Sequence, residues 1–261
     1  MSLALTTPPK TIQEVVEFLR RVYQAAKKET AIIAVSGGVD SALALTLLAR
    51  ALGPEKIQAI LLPYAQQQMT DATAILDFNK IPSQNRRVKN IQPLVGAAAD
   101  TMGLDEKSQD QADLFRLGNL MARARMMLVY DLAKKEDALV CGTENKSEKY
   151  LGYFTRFGDE ASDVEPLVGF YKTQVWQLAE FLQLPQKIIN KAPSAGLWAE
   201  QTDEVELGFS YEVADQVLKQ LIDQKKSASE IEVSGVDKNV VQKVIQRVAR
   251  MQFKQQVPHV M

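Results

Sequence analysis

The chain of 261 residues is 46% hydrophobic and 7% aromatic, enough to bury a sizeable core in a single α/β unit and too much for global disorder. Its 31 Lys+Arg against 32 Asp+Glu leave a net charge of -1, without the basic excess expected of a partner for nucleic acid or an anionic membrane. One cysteine, Cys141, excludes an internal disulfide framework and fits a reducing cytoplasm. It lies in the apolar run Ala138-Leu139-Val140-Cys141, the setting of a buried, inert thiol. The single histidine, His259, reads as a solvated tail residue, so neither a Ser-His-Asp triad, a Cys-His pair nor a zinc site is expected. Met1 to Lys10 lacks the pattern of a signal peptide, and no apolar run is long enough to span a bilayer. A soluble, cytoplasmic protein is expected, whose chemistry rests on carboxylates, lysines, hydroxyls, backbone N–H groups and, where a cation is needed, magnesium.

In chain order, Thr11 followed by Glu14 has the form of a capping box, and Val15, Val16, Leu19 and Val22 follow at helical spacing. Ala31-Ile32-Ile33-Ala34-Val35 is short, apolar and ends at a Ser-Gly-Gly turn, the pattern of a buried strand. A helix is predicted over 39–52, closed by Gly53-Pro54. The alternation then repeats, with a strand over 57–62, a helix over 70–79 and a short strand over 88–91. A long helix over 111–134 turns Leu114, Leu117, Met121, Leu128 and Leu132 inward, and a buried strand follows over 138–142. Strands separated by helices imply a doubly wound α/β fold, with a mainly parallel sheet of about five strands and helices on both faces. Glycine, charge and aromatics mix through 143–170, as in functional loops. A helix over 171–184, a long loop over 191–208 and two helices over 209–224 and 236–254 complete a single domain spanning 1–261.

The first strand runs directly into Ser36-Gly37-Gly38-Val39-Asp40-Ser41, and that hexapeptide opens a helix. A strand of a parallel sheet delivers its chain to the carboxyl edge, where ligands bind in such folds. Two glycines let the backbone turn tightly against an anion, and the helix N-terminus offers unpaired N–H groups to phosphate oxygens. Ser36 and Ser41 add hydroxyls. An acid inside an anion site calls for a cation, which makes Asp40 a candidate magnesium ligand; the plainer alternative is a helix cap. The pattern is neither a Walker loop, which needs a lysine, nor G-x-G-x-x-G. It resembles the pyrophosphate loop of the N-type ATP pyrophosphatases, which split ATP between its α and β phosphates and activate a carbonyl or carboxylate as an adenylate.

Later segments resemble NAD synthetase: Gly118 to Arg125, Gly142 to Glu148, Gly152 to Asp159, Lys191 to Trp198, Gln201 to Glu204, and Leu207-Gly208. They span nearly the whole chain in the family's order and at compatible spacings. The resemblance implies that Ser36, Gly37, Gly38, Val39, Asp40 and Ser41 cradle the ATP phosphates. By the same carry-over Thr143, Lys172 and Ser194 contact ATP, Asp40 and Glu148 hold Mg2+, and Arg123, Arg156, Asp163 and Lys254 bind deamido-NAD. One departure is Phe253, which stands before Lys254 where the family often has histidine. Each position also has a plain alternative. Arg123 and Arg125 could be solvated or paired with Asp131, Glu148 and Lys172 could be ordinary surface charges, Trp198 could fill a notch, and Asp203-Glu204 could be the acidic first turn of a helix capped by Thr202.

The implied reaction uses ATP as co-substrate to adenylate the nicotinate carboxylate of deamido-NAD, releasing pyrophosphate; ammonia then displaces AMP. Magnesium held by Asp40 and Glu148, together with Lys172 and the Gly37-Gly38 amides, is expected to neutralise the leaving pyrophosphate, and Asp159 or Asp163 is the expected acceptor of the ammonium proton. Glutamine-using relatives carry an extra amidase domain with a nucleophilic cysteine, whereas here the synthetase segments fill the chain, so free ammonia is the expected donor. Family members are typically homodimers, and the helix over 111–134 could serve that contact or simply pack on the sheet. Two other readings stay open: another pyrophosphatase-loop enzyme, such as the synthetase half of GMP synthetase or a tRNA-modifying thiolase, and a non-catalytic adenine-nucleotide binder. The first is expected to lack the 143–159 segment or to need catalytic cysteines, and the second to lack ATP-to-AMP turnover.

Overall fold

The computed structural model of the protein describes residues 3–194, 196, 202–256 and 258. In chain order the main elements are α1 (Pro8–Ala26), β1 (Ala31–Ala34), α2 (Val39–Leu52), β2 (Ile57–Leu61), α3 (Thr70–Phe78), β3 (Arg86–Val88), α4 (Gln92–Thr101), α5 (Gln111–Lys135) and β4 (Leu139–Cys141). They continue as α6 (Lys146–Leu151), α7 (Lys172–Phe181), α8 (Gln186–Ile189), α9 (Asp203–Leu207), α10 (Tyr211–Leu218) and α11 (Lys238–Met251). No helix among the described residues is long and apolar enough to cross a membrane.

The strands form one parallel sheet in the order β3-β2-β1-β4, with Ala31 of β1 opposite Ile57 on one side and Leu139 on the other. Because successive strand residues point to opposite faces, Ala31 and Ile33 join the core built with α1, α2, α3 and α7. Ile32, Ile60 and Val140 join the opposite core, with α4 and α5. Apolar burial on both faces is why these strands read as continuous hydrophobic runs. A third cluster packs α6, α10 and α11 together through Leu151, Tyr211, Leu218 and Val244.

This strand order places a topological switch at β1. The chain moves from β1 outward to β2 and β3, then returns to the other side of β1 as β4. In such sheets a crevice opens beyond the carboxyl ends of the two strands flanking the switch. The Ser36–Ser41 loop follows β1 and Gly142-Thr143 follows β4, so both enter that crevice.

Several expectations are corrected. Among the described residues the sheet has four strands where about five were expected; Val164 joins it through a single parallel bridge to Cys141, and Pro166, lacking an N–H, cannot extend the pairing. The first helix does not start behind a Thr11 capping box. It starts at Pro8, with prolines where no N–H is needed, and the Thr11 hydroxyl donates to the Thr7 carbonyl. The third strand ends at Val88 rather than spanning 88–91, and Ile91 is fully buried where α4, not foreseen, begins. The loop expected through 143–170 contains α6, and that over 191–208 contains α9, capped by the Thr202 hydroxyl as its plain reading anticipated. Cys141 is buried in β4, as expected.

Leu43, with no exposed surface, sits in the core on the α2 side of the sheet. Leu43→Ala is expected to remove about 2–5 kcal/mol of stability, read as a lower urea midpoint at unchanged slope; a loss well under 1 kcal/mol would show that α2 packs loosely on the sheet.

Candidate active site

The loop after β1 has a geometry that only its own sequence allows. Gly37 adopts φ of 81°, and a Cβ there would lie 2.8 Å from the Ala72 nitrogen and 2.9 Å from the Asp71 Cβ. Glycine is therefore required both by the left-handed backbone and by the close approach of α3. The Ser41 hydroxyl donates to the Gly38 carbonyl at 3.0 Å and lies 3.1 Å from the Ser36 hydroxyl, which accepts from the Gly38 N–H at 3.2 Å. These bonds hold the turn closed, and the first N–H groups of α2 have no partner inside the helix. Gly38 is the N-cap and no side chain caps α2, so Asp40 is not a helix cap.

Asp40 instead points to Lys172, the first residue of α7. The Lys172 ammonium is 2% exposed and donates to Asp40 Oδ2 at 2.5 Å and to Glu148 Oε1 at 3.1 Å. Asn145, also fully buried, ties the two acids together. Its side-chain amide donates to Asp40 Oδ1 at 2.9 Å, its backbone N–H donates to Glu148 Oε2 at 3.3 Å, and its Oδ1 accepts the Glu148 N–H at 3.0 Å. The last two bonds form the capping box of α6. Behind this layer Ser147 donates to buried Asp215 and accepts the Lys172 N–H at 2.9 Å, while Asp215 Oδ2 accepts the Thr173 N–H at 2.9 Å. Burial opposes the Lys172 charge, but Asp40 and then Glu148 outweigh it and raise its pKa, so the lysine is a fixed cation. Burial, then Asp40 and Asp203, push Glu148 up to about 8 against the pull of Lys172.

A cavity of about 680 Å³ opens in front of the loop, and Ser36, Ser41, Thr143, Asp159, Ser194 and Lys254 all line it. Asp159 Oδ1 accepts the Thr155 N–H at 2.9 Å; burial among surrounding protein raises its carboxyl above the ordinary aspartate range. Lys254 is held by the Gly152 and Phe154 carbonyls at 2.7 and 2.6 Å. Arg123 donates to the Arg156 carbonyl at 3.3 Å, and the Arg156 guanidinium lies 5.1 Å over the Phe253 ring. The structure thus gathers Arg123, Arg156 and Lys254 around one turn. Asp163 stands apart, its Oδ2 accepting the Val140 N–H at 2.7 Å. Ser194 arrives on a segment pinned to α3, where Lys187 and Lys191 pair with Asp71 at 2.7 and 2.9 Å and lower its pKa. Trp198, Gln201 and His259 lie outside the described residues.

Sequence reasoning missed several residues at this site. Asn145 had a signal, since Asn-x-x-Glu is a capping-box pattern. Asp215 had a faint one, an acid on the Tyr211–Leu218 apolar face. Arg125, which donates to the Leu62 carbonyl at 3.1 Å, and Arg247 and Arg250 of α11 all line the cavity. Glu144 and Glu165 sit behind it, pushed up by burial to about 9 and about 7. A Cβ on Gly142 would meet Glu165 Oε1 at 1.8 Å, so that side chain would have to move aside.

A parallel sheet with a glycine turn at its switch point, an uncapped helix start and a lysine clamped by two carboxylates defines a nucleotide-using α/β enzyme. The sequence model of NAD synthase matches residues 11–258. The NH(3)-dependent NAD(+) synthetase of Fusobacterium nucleatum is 39% identical over 248 residues, covering 94% of this chain and 92% of its own. Among solved structures, NMN synthetase from Francisella tularensis is similar at a TM-score of 0.81 and 32% identity, covering 97% of this chain and 98% of that one. The NH3-dependent NAD synthetase from Campylobacter jejuni is similar at 0.79 and 27%, covering 99% and 100%. The chain belongs to the NAD synthase family and is a ligase that forms C–N bonds.

The buried acid behind the lysine makes a pH prediction. Burial raises Asp215 from 3.8 to about 6, against the donors Ser147 and Thr173. Between those values the folded protein holds a proton that the unfolded chain has released, so this group's contribution is present at low pH and lost as pH rises through about 6. Wild type is expected to lose on the order of 3 kcal/mol relative to Asp215→Asn between pH 4 and pH 7. Urea denaturation at both pH values measures it; a constant difference between the two proteins contradicts the assignment.

Proposed function

We propose that the protein is an ammonia-dependent NAD synthetase, which adenylates deamido-NAD with ATP and then amidates it. The observation that carries the reading is the Asp40–Lys172–Glu148 cluster set directly behind the Ser36–Ser41 loop. The nicotinate carboxylate attacks the α-phosphorus of ATP, a P–O bond forms, and pyrophosphate leaves with the electron pair of the broken bond. Negative charge concentrates on that leaving group. The N–H groups at the start of α2 and the Lys172 ammonium lie where they oppose it. Ammonia then attacks the adenylate carbonyl, AMP departs, and one proton is released.

Magnesium fits the residues present. Among the described residues no three acidic, histidine or cysteine side chains converge as a cage. Asp40 and Glu148 do converge on one ammonium, and one or two carboxylates with substrate phosphates and water are what Mg2+ takes. Asp40 and Glu148 would hold it, and it would supply neutralisation of the pyrophosphate charge.

Ammonium must lose its proton before attack. Asp159 lines the cavity with a carboxyl raised above the ordinary aspartate range, a change that makes it a stronger proton acceptor; Asp163 is engaged by the Val140 N–H and supports the cavity wall instead. Arg123, Arg156 and Lys254 hold the dinucleotide, and Thr143 and Ser194 contact ATP. Cys141 is buried and its thiol is pushed well up by burial, so this chain offers no thiolate to attack glutamine. A cytoplasmic homodimer using the α5 face, with exposed Phe115 and Met127, completes the reading.

The test is turnover with ATP, magnesium, ammonium and deamido-NAD, following NAD and AMP together. Equal NAD and AMP are expected, with glutamine unable to replace ammonium. AMP formed only with another acceptor, such as nicotinate mononucleotide, removes the dinucleotide assignment, and no AMP with any acceptor removes the enzyme reading. Asp40→Asn, nearly isosteric, is expected to slow AMP formation about a hundredfold with the fold retained; an unchanged rate takes Asp40 out of the machinery.

A further inference from the structure

The reaction above leaves Asp203, the first residue of α9, without a role. It is 3% exposed, and it is not one of the described residues lining the main cavity. Its Oδ2 accepts the Tyr211 hydroxyl at 3.0 Å. Among the described residues no hydrogen bond reaches Oδ1, and the nearby Tyr153 hydroxyl is given to Glu206 at 2.9 Å. Burial raises the Asp203 carboxyl, and Lys172 and then the Tyr211 and Tyr153 hydroxyls pull it back. A buried acid with an idle oxygen works against folding, so its place calls for a reason other than packing.

Two bonds make Asp203 a junction. Its backbone N–H donates at 2.9 Å to the carbonyl of Pro193, whose neighbour Ser194 lines the cavity. Through Tyr211 its side chain reaches the charge cluster. The Lys172 ammonium lies 5.2 Å from the centre of the Tyr211 ring, near enough for the ring face to hold a cation. Tyr211 is 1% exposed, its N–H is accepted by Glu204 Oε1 at 2.9 Å, and Trp176 meets its ring edge-on at 6.3 Å. The hydroxyl stands at the far end of the ring, where a bond most restricts its tilt, and Asp203 holds it. Asp203 also adds, after Asp40 and Glu148, to the negative field on Lys172.

We propose that Asp203 is a positioning residue for adenylation, fixing the Tyr211 ring against which the Lys172 ammonium rests and, through its N–H, the chain beside Ser194. The inference rests on the synthetase reading, in which Lys172 and Ser194 both face ATP. A lysine held by two acids on one side needs a wall on another, or its ammonium drifts from the leaving pyrophosphate. A misplacement of about 1 Å can cost on the order of a hundredfold in rate, and a side chain that prevents it acts through what it orients. Only one oxygen of Asp203 is engaged, so what it supplies is position, which an acceptor of the same shape can provide.

Steady-state kinetics of AMP formation by Asp203→Ala, Asp203→Asn and Tyr211→Phe test this, with the urea midpoint of each variant measured beside them. Asp203→Ala and Tyr211→Phe are each expected to lower kcat about tenfold, the worth of one buried hydrogen bond. The KM for deamido-NAD is expected to stay within about threefold. The double variant is expected to be no slower than either single one, since both remove the same bond. Asp203→Asn, which can still accept the Tyr211 hydroxyl, is expected to recover most of the rate. A lowered urea midpoint with unchanged kcat per folded molecule marks a merely structural role and overturns the inference. So do effects that multiply in the double variant, or an Asp203→Asn as slow as Asp203→Ala. Should Asp203→Ala not fold, Tyr211→Phe, which keeps the ring, decides by the same change in kcat. Wild type that forms no AMP removes the synthetase reading and the inference with it, whereas active wild type beside an equally active Tyr211→Phe removes the inference alone.

Discussion

A buried ammonium between two carboxylates organises this molecule. Lys172 is 2% exposed and meets Asp40 from α2 and Glu148 from α6. Three elements are thereby fixed to one point at the carboxyl edge of the sheet. Removing one partner from such a group leaves an uncompensated charge in a dry site, typically at a cost of about 3–5 kcal/mol. The Asp40 and Glu148 bonds supply that compensation from two different helices.

The rest of the architecture presents that cluster. The switch of strand direction at β1 opens the crevice, and burial of the sheet on both faces makes its edge a rigid rim. Asn145 then sets the relation of the two acids, and Asp215 with Ser147 fixes the first turn of α7 behind them. These bonds join α6, α7 and α10, so the geometry depends on the packing of those helices rather than on any one loop.

What the sequence disclosed follows from how local each signal is. The helix over 39–52 was legible to the residue, because Gly37-Gly38 and Gly53-Pro54 bracket it. The Ser36–Ser41 loop was legible because strand, turn and helix are adjacent in the chain. The helix starting at Gln92 escaped because its apolar face rests mainly on Val95 and alanines, too small to stand out. The bridge from Val164 to Cys141 left no strand pattern in the mixed segment over 143–170. Asn145 and Asp215 act through partners far along the chain, and such partnership leaves no periodic trace. Arg247 and Arg250 look like ordinary solvated charges until the fold brings α11 to the cavity.

The bonds that define the cluster also span long stretches of chain: 105 residues from Asp40 to Asn145 and 132 from Asp40 to Lys172. Loop-closure entropy must be met before such contacts return anything, so they belong to the slow, late part of folding. The phosphate turn, by contrast, closes on itself within six residues. A nascent or partly folded chain therefore closes this turn before it brings Asp40, Glu148 and Lys172 together.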